Sequence, residues 1–135
     1  MKILFDTNVL LDILLNRDPF VAQARSLMQV IDTGKIIAYV TATTLTDIFY
    51  IVRKHTKSYE RAHQAITTVL MLMIVCTVDR RIVEVALASD CKDFEDAIQV
   101  ACAISHGVDA IVSRDLGLVQ SPIPILSPQE LCNQV

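Results

Sequence analysis

Met1-Lys2-Ile3-Leu4-Phe5-Asp6-Thr7-Asn8 opens the chain, an apolar run with an abrupt polar end. Such a run at the start of a mixed sequence predicts a fully buried strand. The polar residues after it favour turns and helix caps, and a second apolar segment begins at Val9. Ligands of open parallel α/β sheets bind outside the carboxyl ends of the strands, so Asp6 stands where chemistry is expected. An isolated Asp here would more simply cap the next helix, so a functional role depends on further carboxylates reaching the same place.

Strand-like and helix-like segments alternate along the rest of the chain. Further strands are predicted at 36–40, 73–78 and 110–112, with an edge strand at 123–126. This alternation predicts an α/β fold, a three-layer sandwich in which helices cover both faces of a parallel sheet of about five strands. The length of 135 residues predicts a single domain over 1–135. The side chains expected to face the core include Tyr59, Leu70, Leu87 and Ile104.

Composition argues against several classes of protein. A net charge of −3 is unsuited to coating nucleic acid by bulk electrostatics, although it allows a local basic groove. With three glycines and no glycine-rich loop, the sequence lacks the P-loop and the dinucleotide-binding fingerprint. No apolar run approaches the roughly 20 residues of a membrane helix. The four cysteines are far apart and form no CxxC pair, and no histidine stands at zinc spacing. Asp6, Asn8 and Asp12 interrupt the first apolar stretch and no small-residue cleavage site follows it, which argues against a signal peptide, so we expect a cytoplasmic protein without a membrane span.

Acidic residues recur at the predicted carboxyl edge of the sheet. Asp6 follows strand one, Asp115 follows strand four, and Asp47 lies about one turn inside the helix after strand two. Asp93 and Asp96 begin the helix before strand four with the spacing of N-cap and N3, and capping alone would explain that pair. Clustered carboxylates repel one another, so a set of this size predicts a cation between them. Oxygen ligands without His or Cys suit Mg²⁺ or Mn²⁺.

Four segments together resemble the motifs of the PIN-domain family of metal-dependent ribonucleases. They run from Asp6 to Asp12, from Thr41 to Ile48, from Asp93 to Ala97 and from Gly107 to Asp115. They occur in the family's order and span nearly the whole chain, so the set is more specific than any one motif. The resemblance implies a parallel sheet of order 3-2-1-4-5 between layers of helices.

The resemblance also implies a metal-binding role for the acids. The expected metal ligands and catalytic residues are Asp6, Asp47, Asp96 and Asp115, with Asp93 as an accessory ligand. The chain departs from the family pattern at two positions. Asp47 stands where Glu is more common, and Leu118 stands where some members carry a further acid. These departures leave open whether one or two metal ions bind.

Three polar residues of the same motifs are expected beside the RNA. They are Asn8, Ser113 and Arg114. Arg114 adjoins the last acid and is suited to meeting the scissile phosphate. An ion pair between Arg114 and a neighbouring acid is an equal alternative.

The resemblance implies a Mg²⁺- or Mn²⁺-dependent endoribonuclease similar to the VapC-like toxins of toxin–antitoxin pairs. Its expected partners are an RNA substrate, a small antitoxin protein and a second copy of the chain. The apolar fraction of 53% is compatible with a buried interface. One alternative is a catalytically degenerate RNA-binding or scaffold domain of the same fold.

Two alternatives of other classes fit the sequence less well. In a receiver-type signalling module Asp79 could mimic the phosphoacceptor, but that fold needs an acidic pair before the first loop and a Lys after strand five. The residues from Ile125 to Ser127 supply no such Lys. A phosphotransferase of the haloacid-dehalogenase type needs a DxD motif after strand one, and Asn8 stands where the second Asp should be.

Overall fold

The structure, a computed structural model, describes residues 1–115 and 121–135 and alternates strands with helices. The elements are β1 (Lys2–Phe5), α1 (Thr7–Leu14), α2 (Val21–Asp32), β2 (Ile37–Thr41), α3 (Ala42–Thr56), α4 (Tyr59–Leu72), β3 (Ile74–Cys76), α5 (Arg80–Ala88), α6 (Phe94–Ser105), β4 (Ala110–Val112), β5 (Ile125–Leu126) and α7 (Pro128–Gln134). Each predicted strand is present. The strands β3 and β5 are shorter than the apolar runs that contain them.

All strand pairs of the sheet are parallel, and their order is β3-β2-β1-β4-β5. The order 3-2-1-4-5 expected from the resemblance is therefore confirmed. The central strand β1 pairs with β2 on one side and with β4 on the other. Since the strand order reverses around β1, its carboxyl end is the place where such sheets bind ligands.

Side chains alternate between the two faces of the sheet, as the two-residue period of a strand requires. Ile3 and Phe5 lie in a core with residues of α1 to α4 and α7, whereas Leu4 packs in a second core with residues of α5 and α6. Helices thus cover both faces, and the predicted three-layer sandwich is confirmed.

Four side chains predicted to face the core are exposed instead. Tyr59, Leu70, Leu87 and Ile104 are 56%, 53%, 70% and 50% exposed. A helix outside a three-layer sandwich buries only one stripe, and these residues lie beside that stripe because the apolar pattern is wider than the area the sheet covers. Burial was predicted too broadly from apolar character, and the exposed side chains remain for other contacts.

Two cysteines behave as core residues. Cys76 and Cys102 are fully buried, and burial raises the pKa of their thiols to about 11 and about 12. Thiols that hold their protons so strongly are poor nucleophiles and poor metal ligands. Among the described residues no helix is both long and apolar enough to cross a membrane.

Candidate active site

Asp6 lies at the carboxyl end of the central strand, where the backbone fixes its position. Its amide N–H donates to the Val112 carbonyl at 3.0 Å, which extends the β1–β4 ladder by one residue. The residue after Val112 is Ser113, so the ladder brings Ser113 to Asp6. Asp6 is also the N-cap of α1, because its Oδ1 accepts from the Thr7 amide at 2.7 Å. Capping is thus part of its role.

Neutral donors alone hold the Asp6 carboxylate, which is 7% exposed. The Ser113 hydroxyl donates to Oδ2 at 2.6 Å, and the Gln99 side-chain amide donates to Oδ1 at 2.8 Å. No Lys, Arg or His side chain of the described residues pairs with Asp6. A buried carboxylate that accepts hydrogen bonds but has no cationic partner is not compensated in charge, and such a place attracts a cation.

Threonines at the end of β2 and at the starts of α1 and α3 position the start of α3. Thr41 caps the helix by accepting from the Thr44 amide at 3.1 Å. The Thr44 hydroxyl lies 3.0 Å from that of Thr41 and 3.1 Å from that of Thr7, so hydroxyl contacts link the two strand ends. Asp47 follows within the first two turns of α3. Its charge and that of Asp6 both act on Glu95, so the two carboxylates lie near the same group.

The start of α6 supplies further acids to the site, across from those that follow β1 and β2. Asp93 is the N-cap and accepts from the Asp96 amide at 3.0 Å, as the capping alternative predicted. Among the described residues Asp96 makes no reciprocal capping bond, and its carboxylate interacts with the other acids. Burial, followed by the charges of Asp93, Asp6 and Asp115, raises the pKa of Asp96 to about 6.

Glu95 joins the site beside Asp47. A hydrogen bond between the Glu95 and Asp47 side chains is the largest cause of a rise in the pKa of Glu95 to about 7. Burial and the charges of Asp47, Asp6 and Asp93 contribute further to that rise. Two carboxyl groups share a hydrogen bond only when one of them carries a proton. This hydrogen bond therefore favours the protonated form of Glu95.

The charges of Asp93, Asp6 and Asp115 act on Asp96, and those of Asp47, Asp6 and Asp93 act on Glu95. The five acids expected to bind metal are thus close enough to interact electrostatically. Within residues 1–115 and 121–135, however, no three Asp, Glu, His or Cys side chains form a ready metal cage. Mg²⁺ does not require one, because it keeps several waters and commonly binds through one or two carboxylates. The oxygen-only donors fit such an ion. Leu118 lies outside the described residues.

The three residues expected beside the RNA have different environments. Ser113 is completely buried, donates to Asp6 and accepts from the Asp115 amide at 2.9 Å, so it connects two acids. Asn8 is half-buried in the first turn of α1, and its carbonyl accepts from Arg17 at 3.3 Å. Arg114 forms an ion pair, which the sequence left as an alternative. Direct contact of these residues with RNA stays a prediction.

The partner of Arg114 is Asp12, which is 1% exposed in α1. Arg114 Nε and Nη2 donate to its two oxygens at 2.7 and 3.3 Å, and Phe20 lies 3.8 Å below the guanidinium. Arg17 Nε lies 3.0 Å from Asp12 Oδ1 as an ion pair, without the alignment of a hydrogen bond. Asp12 is therefore compensated by two cations and belongs to the scaffold.

Sequence reasoning did not identify Glu95 or Gln99 as parts of the site. Glu95 looked like an acid placed in a first helical turn for the helix dipole. Gln99 carried a usable signal, because it stands three residues after Asp96 on the same side of α6, within an otherwise apolar stretch. A polar residue on the buried side of a helix needs a partner inside the fold.

A cavity of about 940 Å³ adjoins Asp93 and Asp96. Apolar side chains of α5 and α6 form much of its wall, including Val85 and Val100, and Pro122 contributes from the segment before β5. The acids thus stand at one side of a depression large enough for part of a ligand.

Comparisons with known proteins place this geometry in a wider context. A family model described as the PIN domain matches residues 2–117. No curated protein matches the chain.

Several solved structures share the fold. The sarcin-ricin loop cleaving toxin VapC20 of Mycobacterium tuberculosis has a TM-score of 0.72 and 15% identity, covering 90% of this chain and 95% of its own. A toxin–antitoxin complex of Klebsiella pneumoniae has a TM-score of 0.68 and 20% identity, covering 93% and 96%. VapBC2 of Rickettsia felis, bound to a DNA fragment from its promoter, has a TM-score of 0.69 and 12% identity, covering 94% and 98%. The match of the family model over most of the chain means that this protein belongs to the PIN domain family.

Proposed function

We propose that the protein is a Mg²⁺- or Mn²⁺-dependent endoribonuclease and the toxin of a toxin–antitoxin pair. The observation that carries the proposal is the buried Asp6 carboxylate, held by neutral donors and close to the acids of α3 and α6. These are the charges that a cation neutralises. Membership of the PIN domain family supports the same chemistry.

Asp6, Asp47, Asp96 and Asp115 are the proposed ligands, with Asp93 as an accessory ligand at the start of α6. A divalent cation held there would activate a water and stabilise the oxygen that leaves the phosphorus. The protein's own contribution is to fix the acids. The β1–β4 ladder and Ser113 set Asp6, the Thr41 cap sets α3, and the Asp93 cap sets α6.

Exposed apolar side chains support a protein partner. Tyr50, Tyr59, Leu70 and Met71 on α3 and α4 are 64%, 56%, 53% and 81% exposed. Apolar surface of this kind marks interaction sites. The similar folds include VapBC and other toxin–antitoxin complexes. We therefore propose an antitoxin partner, a homodimer and a cytoplasmic location.

A second candidate is a degenerate PIN domain that binds RNA without cleaving it. It is favoured by the lack of three closely converging ligands among the described residues. Metal-dependent turnover separates the two candidates.

The test is cleavage of mixed RNA by purified, nuclease-free protein, measured with Mn²⁺ and with EDTA. We expect cleavage with Mn²⁺ and none with EDTA. Asp96→Asn should lower the rate strongly, whereas Asp93→Asn should lower it less, since Asn caps a helix about as well as Asp.

Binding of RNA without cleavage would favour the degenerate domain. A rate that depends on Asp93 but not on Asp96 would reverse the roles of these two acids. Cooperative unfolding above the assay temperature for the parent and both variants would establish that the rates compare folded proteins.

A further inference from the structure

We propose that Gln99 is a positioning residue of this site and acts through Asp6. The inference rests on the proposed metal-dependent function. Gln99 lies in the middle of α6 and is 1% exposed, between the buried Ile98 and Ala101. A buried side-chain amide is unfavourable unless it is hydrogen-bonded, and its Nε2 donates to Asp6 Oδ1 at 2.8 Å.

The chemistry of Asp6 fixes the orientation of the amide. An ionised carboxylate only accepts hydrogen bonds, so the NH₂ group and not the carbonyl oxygen of Gln99 must face it. The opposite orientation would set two oxygens against each other. Gln99 therefore has one favourable orientation, and the hydrogen bond that it donates in this orientation helps to fix the Asp6 carboxylate.

Gln99 is the third hydrogen-bond donor to the Asp6 carboxylate. Thr7 donates from the first turn of α1, Ser113 from the end of β4, and Gln99 from α6. The first two donors lie at the sheet edge where Asp6 itself lies. Gln99 adds a bond across to the helix that carries Asp96 three residues earlier, so it sets Asp6 relative to a second proposed ligand.

The side-chain oxygen of Gln99 argues that this residue does more than fill space in the core. Gln99 Oε1 is buried and has no hydrogen-bond donor among the described residues. A methionine would fill a similar volume without burying an oxygen that lacks a partner. Packing alone therefore does not account for an amide at this position, whereas holding Asp6 does. Groups that orient metal ligands in this way tune the affinity for the metal.

The test is a Mn²⁺ titration of the full-length protein, followed by electron paramagnetic resonance of free Mn²⁺, for the parent and three variants. Gln99→Met keeps the length and removes the donor. Gln99→Asn keeps an amide but withdraws it from Asp6 by one methylene, and it serves if the Met variant does not fold. Cys102→Ala is the control, because it opens space on the same buried helix without touching Asp6.

We expect both Gln99 variants to weaken Mn²⁺ binding by about 10- to 100-fold, the range for residues that orient metal ligands. Their RNA cleavage should require correspondingly more Mn²⁺ for half-maximal rate. Cys102→Ala should melt earlier yet bind Mn²⁺ as the parent does, because loss of packing alone does not move Asp6.

Parental Mn²⁺ affinity in both Gln99 variants would overturn the positioning role and leave the proposed ribonuclease intact. Weakened binding in Cys102→Ala to the same extent would also overturn it, since general loosening would then explain the effect. A parent that binds no Mn²⁺ would remove the proposed function, and the role of Gln99 with it.

Discussion

Asp6 and Asp12 are two buried aspartates at the two ends of one stretch of chain, and their surroundings differ in charge. Asp12 is 1% exposed and faces Arg17 and Arg114, whereas Asp6 is 7% exposed and accepts only neutral hydrogen bonds. Both are hydrogen-bonded, so hydrogen bonding does not distinguish them. The charge of the neighbouring groups distinguishes them, because Asp12 faces two arginines and Asp6 faces only neutral donors. A carboxylate whose charge is cancelled is part of the scaffold, and one whose charge remains is suited to a cation.

The two residues are connected through the β4 end. Arg114 binds Asp12, its neighbour Ser113 binds Asp6, and the next residue, Asp115, raises the pKa of Asp96. The compensated acid thus anchors the segment that helps to build the uncompensated site. Substitution at each aspartate should therefore affect a different property of the protein.

The largest expected effect is on catalysis by Asp6→Asn. This change keeps the size and polarity of residue 6 but removes its charge, and Ser113 can rotate its hydroxyl to accept from the new amide. We expect the rate of Mn²⁺-dependent RNA cleavage to fall by about 10²- to 10³-fold, the usual loss when one electrostatic group is removed from an active site.

Asp12→Asn is the matched comparison, and its rate per folded molecule should fall less than that of Asp6→Asn. Both rates need single-turnover measurement, with the folded fraction determined by circular dichroism. An equal loss in the two variants would mean that charge compensation does not separate the two aspartates.

A second effect concerns stabilisation by metal. A ligand that binds only the folded state at 100 times its dissociation constant stabilises it by about 2.7 kcal/mol. We expect this gain for the parent with Mn²⁺, and likewise for Asp12→Asn, but little of it for Asp6→Asn. Thermal unfolding with EDTA and with Mn²⁺ measures the difference. A parent melting temperature indifferent to Mn²⁺ would argue against a shared cation site.

The third effect is the loss of stability in Asp12→Asn. Removing one partner of a fully buried ion pair costs about 3–5 kcal/mol. Because the side chains of Arg17 and Arg114 are 35% and 27% exposed, water can partly solvate them, and we expect a smaller loss of roughly 2–3 kcal/mol. Urea unfolding of both proteins measures the free energy. Arg80→Gln is the control, because its pair with Glu84 is 92% and 59% exposed and should contribute nothing measurable.

Local sequence signals predicted the elements of the fold but not which acid would meet a positive charge. The fold class followed from local signals, because apolar runs of strand length alternated with helical periodicity, whereas the strand order was implied by the family resemblance. The residues expected to begin helices do cap them, namely Thr41, Ser58, Asp79, Asp93 and Ser127. The position of the site at the carboxyl edge of the sheet followed from the parallel topology. Asp6 and Asp115 were therefore found from their place after strands.

The compensation of charge could not be predicted from local patterns, because part of it depends on residues far apart in the sequence. Asp12 meets Arg114 across 102 residues, and Gln99 meets Asp6 across 93. No local pattern distinguishes an acid that will face an arginine from one that will not. The helix pattern likewise gave the apolar side of α4 too broadly, so Leu70 was placed inside.

The smallest expected effect is the pH dependence of stability in the metal-free protein. Burial and the neighbouring acids raise the pKa of Asp96 from 3.8 to about 6, and chiefly the bond with Asp47 raises that of Glu95 from 4.5 to about 7. A carboxyl group whose pKa is higher in the folded state binds more protons there than in the unfolded chain. Its contribution to stability is fully present below about pH 4 and is lost as the pH rises through 6 to 7.

Asp96→Asn removes the Asp96 part of this dependence. Each pKa unit corresponds to about 1.4 kcal/mol, and solvent screening of the half-exposed Asp96 reduces the full value to roughly 1–2 kcal/mol. The free energy of unfolding of the parent, relative to Asp96→Asn, should therefore fall by that amount between pH 4 and pH 7 in chelator-treated buffer. Glu60→Gln on α4 is the control for loss of a carboxyl group elsewhere; among the described residues Glu60 accepts a hydrogen bond from Ser58. A parent that gains stability relative to Asp96→Asn over this range would mean that Asp96 is favoured in its charged form, as a compensated acid like Asp12 would be. Asp96 would then belong with the scaffold and not with Asp6.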